Sequence, residues 1–166
     1  LERLLRDRHR ITLLSRNLAA HAERLLAPGV VLREMDVYDP EALREAFSGA
    51  DAVINLVGIL NESGDNGRGF RRAHVELSKL VIAACQLAGV KRLLQMSSLN
   101  AGRGKSHYLK SRGEAEAAVR NSGLDWTLFD SAAGFVQSSL GRTGEIVAVV
   151  AVVLIAIATP VLMALS

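Results

Sequence analysis

The chain has 166 residues and a net charge of +3 at pH 7; 49% of its residues are hydrophobic and 22% charged. That length holds one domain with a proper core but not comfortably two, and the balance is globular rather than disordered. Aromatic residues make up 4% and no Lys/Arg block stands out; nucleic-acid binding calls for a basic stripe with stacking aromatics, so no nucleic-acid partner is expected.

Leu1, Leu4 and Leu5, spaced among charges, read as the end of an amphipathic helix already under way, and no apolar signal-peptide core is present. A chain truncated at its start is the expectation. Ile11–Ser15 is a short apolar run that predicts a strand. Ala19–Leu26 predicts a short helix closed by Pro28-Gly29. Val30–Met35 predicts a second strand. Asp39-Pro40-Glu41 starts a helix, with Asp as cap, Pro in the first turn and an acid beside it; it runs to about Phe47. Ala52–Val57 is a fully apolar third strand, followed by a polar, glycine-rich loop over Asn61–Gly69. Phe70–Ala88 is a long helix ended by Gly89. Cys85, the only cysteine, lies in its apolar run, which excludes an intrachain disulfide; it reads as a small buried hydrophobe in a reducing compartment. Arg92–Ser97 is a strand, Ser106–Ser122 a helix ended by Gly123, and Trp126–Phe129 a strand.

Alternating strands and helices, with strands apolar throughout, predict an α/β fold: a parallel sheet covered on both faces and doubly wound by right-handed crossovers. The expected fold is a Rossmann-type sheet that lacks its first strand and Gly-rich loop. Ligands in such folds bind outside the carboxyl ends of the strands. From Ile146 to Ser166 there is no charged residue. A helix of that length spans roughly 30 Å, about the thickness of a bilayer core. The expected organisation is therefore a partial Rossmann domain over 1–134, a linker over 135–145 and a transmembrane helix over 146–166. A buried helix plus strand, or an out-of-frame tail, is the alternative reading of the last segment.

The residues that follow each strand carry the candidate chemistry. Arg16 stands where the adenine ribose is expected and suits a 2′-phosphate; read alone it is a solvated surface Arg. Asp36-Val37 follows the second strand, where an acid can accept from the adenine amino group; otherwise Asp36 caps a turn. Leu56-Val57-Gly58 ends the third strand in a small residue that allows close approach of backbone to a ribose. Asn55, inside that apolar strand, needs hydrogen-bond partners. Tyr108 and Arg112 lie one turn apart on a helix face. A cation there stabilises tyrosinate, so the pair suits a general acid, with Ser97 and Ser98 placed to bind a carbonyl; read alone, Tyr108 is a partly buried aromatic. No metal site is expected.

Together these pieces resemble the atypical and extended short-chain dehydrogenase/reductases. Within them the chain is most similar to bacterial relatives of the NDUFA9-type accessory subunit of respiratory complex I. Ala52 through Leu60 and Ser111-Arg112-Gly113-Glu114-Ala115-Glu116 carry most of the resemblance, which covers about Leu1 to Phe129. It implies bound NADP or NAD, with NADP favoured by Arg16, and implies no assured activity. Three departures stand out. The Gly-x-x-Gly-x-x-Gly loop is absent, so the chain alone is expected to hold dinucleotide poorly. The family's Tyr-x-x-x-Lys is here Tyr108 to Arg112, with Lys110 on another face. Asp130-Ser131 replaces the usual Arg-Pro.

Three functions follow as expectations. The first is a nucleotide-binding protein, non-catalytic or weakly catalytic, that supports a membrane redox complex or quinone-related process. It would be anchored by its C-terminal helix with its nucleotide domain on the cytoplasmic side, and otherwise cytoplasmic. The second is an NADP-dependent reductase or epimerase of a small or isoprenoid-like substrate. The third is a truncated, inactive gene product.

Overall fold

The computed structural model describes residues 9–16, 30–64, 66–131 and 154–158. Its elements are β1 (Arg10–Ser15), β2 (Val30–Glu34), α1 (Pro40–Phe47), β3 (Ala52–Asn55), α2 (Arg68–Phe70), a π-helical stretch (Arg71–Glu76), α3 (Leu77–Ala88), β4 (Arg92–Ser98), α4 (His107–Arg120), β5 (Asp125–Ser131) and β6 (Leu154–Ala158). The helix expected over Ala19–Leu26 and the linker over 135–145 lie outside the described residues.

The local signals act as their chemistry demands. Asp39 caps α1 by accepting from the N–H groups of Glu41 and Ala42 at 2.9 and 3.2 Å. Leu43 and Phe47, one turn apart, are the buried face of that helix. Residues at the junctions of α2, the π-helical stretch and α3 keep right-handed helical backbone, so the three form one rod. The rod stops at Gly89, whose φ of 76° a side chain would resist. Ser106 caps α4 by accepting from the Leu109 N–H.

The sheet order is β2-β1-β6-β3-β4-β5. β1 pairs with β2, β3 with β4, and β4 with β5, all parallel. The parallel α/β expectation holds for these five strands. Alternate residues divide between two cores. Leu14, Val53 and Leu93 pack with Phe47, Leu77, Val81 and Val119 on the helix-covered face. Ile11 and Leu13 pack with Leu32, Ala52 and Ile54 on the other.

The C-terminal expectation needs correction. Leu154–Ala158, inside the run read as a transmembrane helix, is a strand. It lies at the centre of the sheet between β1 and β3 and runs antiparallel to both, with Leu154 level with Leu14 and Asn55. The centre of a sheet favours the same uncharged, β-branched sequence that a bilayer helix would. Among the described residues no helix is long and apolar enough to cross a membrane. The rest of 146–166 lies outside the described residues.

Candidate nucleotide-binding site

The carboxyl ends of the strands divide the site into two parts. The first lies beyond β1 and β2. Arg16 is exposed, and so is Asp36. Asp36 Oδ1 accepts from the Tyr38 N–H at 2.9 Å, so Asp36 caps its own turn while Asp39 caps the helix. Val37 is fully buried and anchors this turn in the core. The half-buried Tyr38 ring has two guanidinium groups over it, that of Arg16 at 5.8 Å and that of Arg72 at 4.6 Å from its centroid. Burial raises the Tyr38 pKa above its ordinary value, against the opposing pull of Arg16 and Arg72. Neither Tyr38 nor Arg72 is marked by any sequence motif, because the two meet only across the fold.

The second part lies beyond β3 and β4, and it is packed rather than open. Asn55, 1% exposed, donates to Gln95 Oε1 at 2.9 Å and accepts from the Val57 N–H at 3.0 Å. Ser78 also donates to Gln95 Oε1. The expected need of Asn55 for partners is met by Gln95 on the neighbouring strand and by the backbone just beyond its own strand. Leu56 and Gly58 are partly exposed, and Val57 is buried.

Arg112 is the largest fully buried side chain among the described residues, at 2% exposure. Its Nη1 donates to the Met96 carbonyl at 3.1 Å and the Val57 carbonyl at 3.5 Å, while its Nε has no hydrogen-bond partner. It thus ties the ends of β3 and β4 together. A methyl group on Gly58 would collide with its Nη2. Desolvation lowers the Arg112 pKa, and the neighbouring Tyr108 opposes that. The guanidinium lies 5.5 Å from the Tyr108 ring centroid, so the one-turn spacing does bring cation and aromatic together. Lys110 is exposed on another face of the helix.

His74, on the π-helical stretch, packs against both Phe70 and Tyr108. Its Nε2 accepts from the Ile59 N–H at 3.2 Å, which places the ring proton on Nδ1, 2.8 Å from Ser111 Oγ. Ser111 Oγ donates in turn to the Tyr108 carbonyl at 2.8 Å. His74 is therefore a neutral tie between the loop after β3 and α4, and burial together with Arg112 pushes its pKa down to about 3. The glycine-rich loop is tied as well. Glu62 accepts from the N–H groups of Gly67, Gly69 and Phe70 at 2.6, 2.8 and 3.3 Å.

Ser97 and Ser98 are both 1% exposed. Ser97 donates to Glu116 Oε1 at 2.6 Å. Ser98 Oγ has no partner and lines a cavity of about 370 Å³ with Asn100, Arg103, Glu116, Arg120 and Asp130. Tyr108 and Arg112 are not among the residues lining that cavity. Among the described residues no cluster of side chains could hold a metal ion.

Comparison with known proteins bears on the family and the fold. The family described as NAD(P)H-binding matches residues 1–133. Mouse (Mus musculus) mitochondrial NADH dehydrogenase (ubiquinone) 1 alpha subcomplex subunit 9 is 32% identical over 89 residues, which are 53% of this chain and 23% of that protein. Its rat (Rattus norvegicus) counterpart is 29% identical over 92 residues, 55% of this chain and 24% of that protein. The chain thus spans about a quarter of the length of the curated relatives it matches. The NADPH-dependent quinone oxidoreductase of Escherichia coli, solved with NADPH, is 27% identical with a TM-score of 0.55, over 71% of this chain and 38% of that one. Bordetella bronchiseptica WbmH, solved with NAD+, shares the fold at a TM-score of 0.67 and 17% identity, over 78% of this chain and 50% of that one. The chain belongs to the NAD(P)H-binding family, as a Rossmann domain of the short-chain dehydrogenase/reductase type.

Proposed function

We propose that this protein binds NADP(H) without turning it over and does so in support of a membrane redox complex. The observation that carries the non-catalytic part is the seat of Arg112. In a reductase of this type the cation one turn after the tyrosine must be free to steady a ribose and to lower the barrier to proton transfer. Here the guanidinium is sealed from solvent and held by two strand carbonyls. An arginine also keeps its proton at any working pH, so it cannot relay one. Tyr108, the proton donor of the alternative reading, does not line the cavity that Ser98 lines.

In this reading Arg16 meets the 2′-phosphate and Asp36 and the Val37 backbone border the adenine. The backbone of Leu56, Val57 and Gly58 approaches the ribose. The redox-complex part rests on the mouse and rat relatives, whose names place them in a mitochondrial NADH dehydrogenase. The test is a calorimetric titration with NADPH and with NADH, followed by an assay of nicotinamide oxidation with a quinone acceptor. Tighter binding of NADPH, reduced to the NADH level by Arg16→Ala, with no oxidation, is expected. Equal affinities, or turnover abolished by Tyr108→Phe, would overturn it. The second reading, an NADPH-dependent reductase, is favoured by one observation, the contact between Arg112 and Tyr108, together with the likeness to the quinone oxidoreductase.

A further inference from the structure

Among the described residues, six ion pairs neutralise surface arginines. Arg16 and Arg72 belong to none of them. The contrast with the adjacent residue is direct. Arg71 is paired with Glu114 at 3.0 Å and Glu76 at 3.9 Å, whereas Arg72 lies over the ring of Tyr38. The π-helical stretch places these two consecutive arginines in different surroundings. Tyr38 is pinned to the same turn, because its hydroxyl donates to the Arg72 carbonyl at 3.4 Å. One ring thus joins the turn after β2 to the rod that follows β3, and Arg16 reaches it from the end of β1.

We propose that Arg72 and Tyr38 complete, with Arg16, a receptor for a phosphomonoester on the adenosine ribose, so that Arg72 is a second determinant of NADP(H) selectivity. This rests on the nucleotide-binding reading above and goes beyond it in naming a residue from the far side of the site. Two guanidinium groups near one ring repel each other. The face of the ring offsets part of that repulsion, by about 0.5–1 kcal/mol for each exposed cation. An incoming group carrying nearly two negative charges offsets the rest and can accept from both forks. Nicotinamide nucleotides that lack the 2′-phosphate bring no such charge to this place. Glu76, an acid that acts on the Tyr38 hydroxyl, is paired with Arg71.

The test uses the full chain and two small probes, adenosine 2′-monophosphate and adenosine 5′-monophosphate, titrated by NMR into wild type and Arg72→Gln. Each hydrogen bond to a charged group contributes about 1.5–3 kcal/mol, so Arg72→Gln should weaken the 2′-nucleotide by about tenfold or more. The 5′-nucleotide should change by less than about twofold, on the scale of a surface substitution. Equal weakening of both probes, or of neither, would overturn the inference while leaving nucleotide binding intact. Failure of wild type to bind either probe would overturn the nucleotide-binding reading and the inference together.

Discussion

Arg16 and Arg72 stand in solvent above one aromatic ring, while Arg112 is enclosed at 2% exposure between the ends of two strands. The first pair lies against a ring face that tolerates cations, and the Arg72 side chain also bonds the Tyr38 hydroxyl. The second has Nη1 on two main-chain carbonyls and an Nε with nowhere to go. A guanidinium in water can exchange its partners for a ligand at little cost, whereas a buried one cannot leave its carbonyls without exposing a charge to an apolar interior. The same residue type is therefore a receptor at one end of the carboxyl edge and a fastening at the other.

The strongest way to break this comparison is to truncate both kinds of arginine. Arg112→Ala should cost about 3 kcal/mol, from the lost charge-assisted bonds and the space left behind, read as a lower urea midpoint. Arg16→Ala should stay within about 0.5 kcal/mol. Equal losses would show that burial does not separate the two. Gly58→Ala should cost about 1–3 kcal/mol by pressing on the same guanidinium. In the Arg112→Ala background that cost should nearly vanish, a coupling that a double-mutant cycle would measure.

The packed region should also carry a pH signature that the open one lacks. Folding depresses the His74 pKa from the ordinary 6.5 to about 3. Above 6.5 both states leave the ring neutral and stability is complete. Below it the unfolded chain takes up a proton that the folded chain refuses. Stability should therefore fall as pH drops from 6.5 toward 3, by about 1.4 kcal/mol per unit once below the unfolded pKa. Between pH 6 and 5, where few carboxylates titrate, His74→Gln should flatten that slope; an unchanged slope would contradict the assignment.

Two smaller effects sharpen the contrast. Asp39→Ala removes the cap of α1 and should cost about 1 kcal/mol. Ser98→Ala removes a hydroxyl with no partner and should leave the urea midpoint within about 0.5 kcal/mol, or raise it. A large loss there would reveal a partner for that hydroxyl.

Much of the fold was legible because the sequence states it locally. Asp39-Pro40 starts α1 and Gly89 stops α3 through chemistry confined to a few residues, and the apolar strands announce a parallel sheet. β6 was misread because an uncharged apolar run satisfies a bilayer and a sheet centre equally; its partners lie at the other end of the chain. In the candidate site, the nearness of Tyr108 and Arg112 follows from helix spacing. That Arg112 turns inward does not, since charged residues are rarely fully buried. Arg72 with Tyr38 and His74 with Ser111 become visible only when distant segments are brought together.

The most direct test of nucleotide binding without turnover is one experiment on the full chain: NADPH is titrated in by calorimetry, and the nicotinamide absorbance of the same sample is then followed with a quinone acceptor. Weak but saturable binding, as expected without the glycine-rich loop, with constant absorbance is the predicted result. Absorbance that decays with turnover, and is preserved in Tyr108→Phe, would contradict it.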